Sequence, residues 1–179
     1  MIGVYNYTVV LTYLSLLSAS SGIMVSLWGK GHPFIGIFFL LLCGLFDAFD
    51  GKVARTKQDR TENEKKFGVQ IDSLSDLVAF GVLPACIGAS LIKNELFLKK
   101  VAPSGAPIWL GKLLYGLLFA CLILYVLAAL IRLAYFNVEE EERQKSENCP
   151  RKYFTGVPVT TASLIFPSVM LLQYIFSPA

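Results

Sequence analysis

The residues whose type and spacing best suit chemistry are four aspartates: Asp47, Asp50, Asp72 and Asp76. The first two close one long apolar run, and the last two open the next. Carboxylates at the edge of a bilayer-length segment are costly to desolvate, and they mark functional sites in membrane proteins. A sequence that places four of them at two such edges therefore indicates a use for them.

The spacing within each pair is that of a helix face. At about 100° per residue, one face carries the first pair and the small residues that follow it: Asp47, Asp50, Gly51 and Ala54. A row at i, i+4 spacing on another helix contains Gly68, Asp72 and Asp76. Two helices that meet on these faces would join four carboxylates across a seam of small residues. Such a seam admits a backbone or a flat ligand.

Clustered carboxylates either share protons or hold a cation. Ligands that are all oxygen suit a hard divalent ion, so the pattern predicts a site for Mg²⁺ or Mn²⁺. The alternative is that the aspartates are helix-end acids that face interfacial water. Four acids at helical spacing, with glycines on the same faces, argue against that alternative.

The chain has 179 residues, of which 55% are hydrophobic, and the apolar residues come in long runs. This composition predicts an all-α, polytopic transmembrane helix bundle in a single domain, 1–179. The net charge of +3 gives no reason to expect a nucleic-acid partner. The four cysteines lack C-x-x-C spacing, so they read as reduced core residues. Five candidate spans are visible: Tyr7–Trp28, Pro33–Val53, Gly68–Ile92, Ile108–Phe136 and Val157–Phe176.

The distribution of basic residues predicts the orientation of these spans. Eleven of the sixteen lysines and arginines lie in or beside the second and fourth connections: Lys52, Arg55, Lys57, Arg60, Lys65, Lys66, Arg132, Arg143, Lys145, Arg151 and Lys152. Because short cytoplasmic loops carry an excess of lysine and arginine, both connections are expected on the cytosolic side. The aspartates would then face the cytosol.

The pattern D-x-x-D-G-x-x-A-R, followed by G-x-x-x-D-x-x-x-D, resembles the signature of the CDP-alcohol phosphatidyltransferases. These membrane enzymes move a phosphatidyl group from a CDP-linked lipid to an alcohol. The resemblance implies that the four aspartates hold the metal and that Asp76 is also the general base. It implies that six residues contact the CDP-lipid: Asp50, Gly51, Ala54, Arg55, Gly68 and Asp72. The twelve residues between Arg55 and Gly68 exceed the family's usual spacing, and the family core has six spans.

A second resemblance narrows the acceptor alcohol. Residues 132–137 read R-L-A-Y-F-N and residues 153–158 read Y-F-T-G-V-P, which is similar to segments of the bacterial and archaeal phosphatidylserine synthases. Tyr135 stands where that subgroup commonly has a second arginine. The resemblance implies transfer from CDP-diacylglycerol to L-serine, releasing CMP, in a bacterial or archaeal cell membrane. A guanidinium suits the serine carboxylate, which makes Arg132 and Arg151 acceptor candidates beside Asn137.

Other functions stay open on the sequence. A sister transferase using glycerol 3-phosphate or inositol phosphate would keep the aspartate signature, but it would need more cationic side chains for the acceptor phosphate. A cation transporter could also use aspartates inside the membrane, although it would not need the Ala54-Arg55 pair. Basic residues at cytosolic helix ends are expected from topology alone, which is the alternative role for Arg132 and Arg151. Membrane lipids are expected partners, and the sequence leaves a homodimer open.

Overall fold

The computed structural model describes residues 9–28, 32–54, 61–93, 108–146 and 159–176, and within these ranges it is helical except at single residues beside helix ends, without a strand. The helices are α1 (Val10–Leu27), α2 (Pro33–Ala54), α3 (Glu62–Asp76), α4 (Leu83–Lys93), α5 (Ile108–Ser146) and α6 (Ala162–Phe176). A π-helical segment, Leu77–Val82, joins α3 to α4 without a break, and a 3₁₀ turn, Val159–Thr161, precedes α6.

Four helical stretches are long and apolar enough to cross a membrane: Val10–Leu27, Pro33–Val53, Glu62–Lys93 and Trp109–Glu142. The predicted all-α, polytopic membrane bundle is therefore confirmed. The fifth predicted span corresponds to α6, which has 15 residues and contains Pro167. Its apolar part is shorter than the other four stretches.

Helix α5 runs further than the sequence pattern predicts. Its 39 residues correspond to roughly 58 Å at about 1.5 Å per residue, which is longer than the roughly 30 Å hydrocarbon core of a bilayer. The helix continues past the apolar run into 139–146, because glutamate, arginine, glutamine and lysine are good helix formers. Arg132 and Asn137 therefore lie on one continuous helix, and Asn137 does not begin a loop.

Helix α3 begins six residues before the predicted span, and a capping box explains why. The Thr61 hydroxyl accepts a hydrogen bond from the Glu64 N–H at 3.3 Å, and the Thr61 N–H donates to the Glu64 carboxylate at 3.1 Å. These two bonds satisfy donors that would otherwise be unpaired at a helix N-terminus. Gly68 consequently lies inside a helix whose start is well defined.

The core is formed where α1, α2, the π-helical segment and α4 pack together. Its fully buried side chains include Leu40, Cys43, Phe80, Leu83 and Ile87. Small residues let the helices approach closely: a Cβ added to Gly22 of α1 would lie 2.8 Å from the Cβ of Phe39 in α2. Within the described residues Cys43, Cys86 and Cys121 are free thiols; Cys43 is buried in the core, but Cys121 is exposed, so the prediction of a core position is wrong for Cys121. Cys149 lies outside the described residues.

The π-helical segment is tied to α5 by a hydrogen bond to a carbonyl that lies four residues before a proline. Pro84 has no N–H, so it cannot donate to the carbonyl of Phe80 four residues earlier, as an α-helix requires. The Tyr125 hydroxyl of α5 donates to that carbonyl at 2.7 Å. The bond satisfies a buried acceptor and fixes α5 against the segment that directly follows Asp76.

This bond leads to a stability prediction. Tyr125→Phe is expected to destabilise the protein by about 0.5–1.5 kcal/mol, because the Phe80 carbonyl would lose its donor. The measurement is thermal unfolding of the purified protein in detergent. The control is Tyr115→Phe on the same helix, where the ring packs on Phe119 and its hydroxyl does not support the π-helical segment. Equal melting temperatures for Tyr125→Phe and wild type would contradict the assignment.

Candidate functional site

Three of the four predicted acids converge between α2 and α3, both of which pack on α1. One carboxylate oxygen each from Asp47, Asp72 and Asp76 lies within 4.8 Å of the others, and all three residues are half-buried. Asp72 and Asp76 stand one turn apart on α3, as their i, i+4 spacing predicts. Asp47 faces them from the last two turns of α2. These three residues are called the acid cluster below.

Asp50 is held differently from the acid cluster. It lies about one turn beyond Asp47 on α2, is 7% exposed, and accepts a hydrogen bond from the Thr12 hydroxyl of α1. It is not one of the carboxylates that lie within 4.8 Å of one another. The sequence predicted a site of four acids. The structure brings three carboxylates together, and the fourth, Asp50, lies beside them and is oriented by Thr12 of α1.

Two further hydrogen bonds hold the part of α3 that carries Asp72 and Asp76. The Ser75 hydroxyl donates to the carbonyl of Thr12 at 3.2 Å, which ties α3 to α1. The side-chain amide of Asn137 in α5 donates to the Ser73 hydroxyl at 2.7 Å. Both serines immediately neighbour an acid of the cluster in sequence, so the carboxylates are supported from α1 and from α5.

The glycines beside the acids border open space. A Cβ added to Gly51 or to Gly68 would meet no described atom within 4 Å. Gly22 shows the opposite environment, since its Cβ would collide with a neighbouring helix. Gly51 and Gly68 therefore do not serve close helix packing among the described residues, and the open space beside them can admit a ligand. Ala54 ends α2, whereas Arg55 lies outside the described residues.

The donor set of the acid cluster fits a hard divalent cation. Its ligating atoms are carboxylate oxygens, which Mg²⁺ and Mn²⁺ prefer over softer donors. Within the described part of the chain, no lysine or arginine forms a salt bridge with these three carboxylates. Negative charges this close repel one another unless a cation offsets them.

Arg132 and Asn137, two of the residues predicted to bind the acceptor alcohol, lie in different places on α5. Arg132 helps line a cavity of about 250 Å³ between α5 and the segment formed by the 3₁₀ turn and α6, whose other walls are mostly alanine, isoleucine and phenylalanine. Asn137 instead contacts α3 beside Asp72. Arg132 and Asn137 are five residues apart on α5, so their side chains leave the helix in directions about 140° apart. Arg151 lies outside the described residues.

Three supporting residues escaped the sequence interpretation: Thr12, Ser73 and Ser75. A signal for the first was present in α1, where small and hydroxyl residues recur at helical spacing: Thr12, Ser15, Ser18, Gly22 and Ser26. All five are buried. Such a stripe in an apolar helix indicates a face that packs on other helices. No comparable sequence pattern marks Ser73 or Ser75 of α3.

Comparison with known proteins identifies the family of this chain. The family model described as CDP-alcohol phosphatidyltransferase matches residues 5–178, so the chain belongs to the CDP-alcohol phosphatidyltransferase family. Its acid cluster and the glycines Gly51 and Gly68 are among the residues on which the resemblance to this family was drawn.

Three named relatives are similar to this chain over most of its length. The chain is 31% identical over 163 residues to a CDP-diacylglycerol–serine O-phosphatidyltransferase of Saccharomyces cerevisiae, covering 86% of this chain and 50% of that protein. It is 30% identical over 164 residues to the Helicobacter pylori protein of the same name, covering 89% and 57%. It is 33% identical over 164 residues to the archaetidylserine synthase of Methanothermobacter thermautotrophicus, covering 90% and 57%. The chain thus spans about half the length of these relatives. No solved structure gives a significant match.

Proposed function

We propose that this chain transfers the phosphatidyl group of CDP-diacylglycerol to the hydroxyl of L-serine, giving phosphatidylserine and CMP. The observation that carries the proposal is the convergence of Asp47, Asp72 and Asp76 within 4.8 Å beside two glycines that border open space. Family membership supports the phosphatidyl transfer. The names of the three relatives share serine, although one of them names a different lipid, and this supports serine as the acceptor.

The aspartates have separable roles in this proposal. Asp47, Asp50, Asp72 and Asp76 would hold Mg²⁺ or Mn²⁺, which when bound supplies electrostatic stabilisation of the pyrophosphate and of the departing CMP. Asp76 accepts the proton of the serine hydroxyl while the serine oxygen bonds to the phosphatidyl phosphorus and the bond from that phosphorus to CMP breaks. Because Asp76 lies at the end of α3, inside the bundle, its carboxylate is shielded from bulk water better than an exposed acid.

The remaining CDP-lipid contacts follow the seam between α2 and α3. Gly51, Ala54 and Gly68 would let the cytidine lie flat, which the open space at both glycines supports. Arg55 follows α2 directly and would contact a phosphate. The seam would face the cytosolic side, the orientation that the basic residues favour, and the diacyl chains would enter it sideways between helices from the bilayer.

Asn137 is the acceptor residue that the contacts support best. Its amide lies at hydrogen-bonding distance from Ser73, next to Asp72, so a serine bound beside the acid cluster could reach it. Arg132 and Arg151 are proposed to bind the serine carboxylate. For Arg132 this means reaching toward the acids from the wall of the cavity between α5 and α6.

The direct test is an acceptor panel. Purified protein in detergent would receive CDP-diacylglycerol with L-serine, glycerol 3-phosphate or inositol phosphate, and CMP release would be followed. We expect release with serine, loss of activity in excess EDTA, and recovery on adding Mg²⁺ or Mn²⁺. Release with glycerol 3-phosphate or inositol phosphate alone would overturn serine as acceptor. Full activity in EDTA would overturn the metal role. Cation flux in proteoliposomes without CMP release would favour a transporter.

A further inference from the structure

Thr12 of α1 contacts both helices that carry the acids. Its hydroxyl donates to the Oδ2 atom of Asp50 on α2, and its carbonyl accepts from the Ser75 hydroxyl of α3 at 3.2 Å. The exposures of Thr12, Asp50 and Ser75 are 4%, 7% and 2%, so these contacts are buried. One residue outside the family signature therefore connects its two halves.

The contact to Asp50 restricts how that carboxylate can be oriented. A buried carboxylate needs hydrogen-bond donors, and the Thr12 hydroxyl has one hydrogen to give. The Thr12 hydroxyl engages Oδ2 of Asp50, which fixes one edge of the carboxylate against α1. Threonine is branched at Cβ, which limits its side chain to few rotamers in a helix. Asp50 is thus held by a donor that is itself restricted.

The contact to Ser75 sets the position of the second acid-bearing helix. Ser75 immediately precedes Asp76 and lies three residues after Asp72. A shift of α1 would therefore move the donor to Asp50 and the acceptor of Ser75 together. The Ser75 bond uses the backbone carbonyl of Thr12, so it depends on the position of this turn of α1, whereas the bond to Asp50 depends on the threonine hydroxyl.

Ser18, another hydroxyl residue of α1, provides the control for a loss of helix packing without a loss of contact to an acid. Ser18 donates to the carbonyl of Phe39 in α2 at 3.3 Å and is 7% exposed. It ties the same two helices together, but its partner is a backbone carbonyl far along α2 from the acids. Loss of the Ser18 hydroxyl therefore tests helix packing alone.

We propose that Thr12 is a positioning residue of the metal site, holding Asp50 so that it joins Asp47, Asp72 and Asp76 in binding a divalent cation. The inference rests on the proposed function for the role of that cation, but binding can be measured without turnover. Partners that orient metal ligands typically change metal affinity by about 10–100-fold when they are removed.

The experiment measures Mn²⁺ binding to the full chain in detergent, from the electron paramagnetic resonance signal of free Mn²⁺. Thr12→Val, which keeps the shape and removes the hydroxyl, is expected to weaken Mn²⁺ binding about 10–100-fold. Thr12→Ser, which restores the hydroxyl, is expected to bind as wild type does. Ser18→Ala should lower the melting temperature and leave Mn²⁺ affinity unchanged. Wild-type Mn²⁺ affinity in Thr12→Val would overturn the inference, whatever its melting temperature.

A double-mutant cycle shows whether Thr12 acts through Asp50. In an Asp50→Asn background, Thr12→Val is expected to cause no further loss of Mn²⁺ affinity, because the partner that it orients is gone. An undiminished loss in that background would contradict the inference. If Thr12→Val does not fold, Thr12→Ala removes the same hydroxyl and carries the same test.

The outcomes also separate this inference from the proposed function. Wild-type protein that binds Mn²⁺ yet releases no CMP with any acceptor would overturn the phosphatidyl transfer alone. Thr12→Val that binds Mn²⁺ normally, in a protein that releases CMP, would overturn the role of Thr12 alone. Wild-type protein that binds no Mn²⁺ but releases CMP would overturn the role of Thr12 and the metal role of the aspartates, and would leave the phosphatidyl transfer standing.

Discussion

Replacing Asp76 with asparagine is expected to lower the rate of phosphatidyl transfer by roughly 10²–10⁴-fold, while CDP-diacylglycerol binding stays near the wild-type level. Asparagine keeps the size of the side chain but cannot accept the serine proton. Three carboxylates would still be present to hold the cation, namely those of Asp47, Asp50 and Asp72. The measurement is CMP release under saturating serine, beside equilibrium binding of CDP-diacylglycerol.

Two other variants make the result specific to Asp76. Asp47→Asn should impair CDP-diacylglycerol binding and rate together, because it removes a metal ligand that grips the pyrophosphate. Glu62→Gln neutralises an exposed acid at the start of the same helix, where it pairs with Lys65, and should leave both quantities unchanged. Wild-type turnover in Asp76→Asn would show that another group takes the proton.

Gly68→Leu is expected to abolish CDP-diacylglycerol binding while the protein still folds. A Cβ at Gly68 meets no described atom within 4 Å, so the leucine side chain has room and would occupy the space proposed for the cytidine. Leucine is also a better helix former than glycine by up to about 1 kcal/mol, so α3 itself should tolerate the change. Binding would be measured at equilibrium in detergent, and folding by the melting temperature.

The neighbouring residue offers a matched control. Val69 is 54% exposed, and Val69→Leu adds apolar volume to α3 at a position about 100° away from Gly68. It is expected to leave CDP-diacylglycerol binding unchanged. If Gly68→Leu binds the lipid as wild type does, the open space beside Gly68 is not where the nucleotide lies.

The sequence alone was enough to predict four long apolar helices and the spacing of acids within each helix, whereas the fifth predicted span corresponds to the shorter helix α6. Span prediction succeeds because hydrophobicity is a property of consecutive residues, so the stretch 33–53 can be recognised without knowing its neighbours. The i, i+4 relation of Asp72 and Asp76 is likewise local, since the α-helix has a constant angle per residue. The family signature lies on these same local spacings, which is why the phosphatidyltransferase resemblance could be drawn and agrees with the family match.

Helix ends were harder to predict, because they depend on capping and propensity more than on hydrophobicity. The capping box at Thr61 starts α3 before its apolar part begins, and a run of good helix formers carries α5 to Ser146. That extension placed Asn137 on the same helix as Arg132, facing about 140° away from it. If the helix ended with the apolar run at Phe136, the direction of the Asn137 side chain relative to Arg132 could not be predicted.

Only the tertiary structure decided which acids meet. Asp47 and Asp50 are both on the face that the spacing predicts, yet Asp47 joins the acid cluster while Asp50 turns to Thr12. The difference depends on how α1, α2 and α3 are rotated and offset against one another. Those rotations are set by close contacts between distant residues, such as Gly22 with Phe39, which no local period encodes.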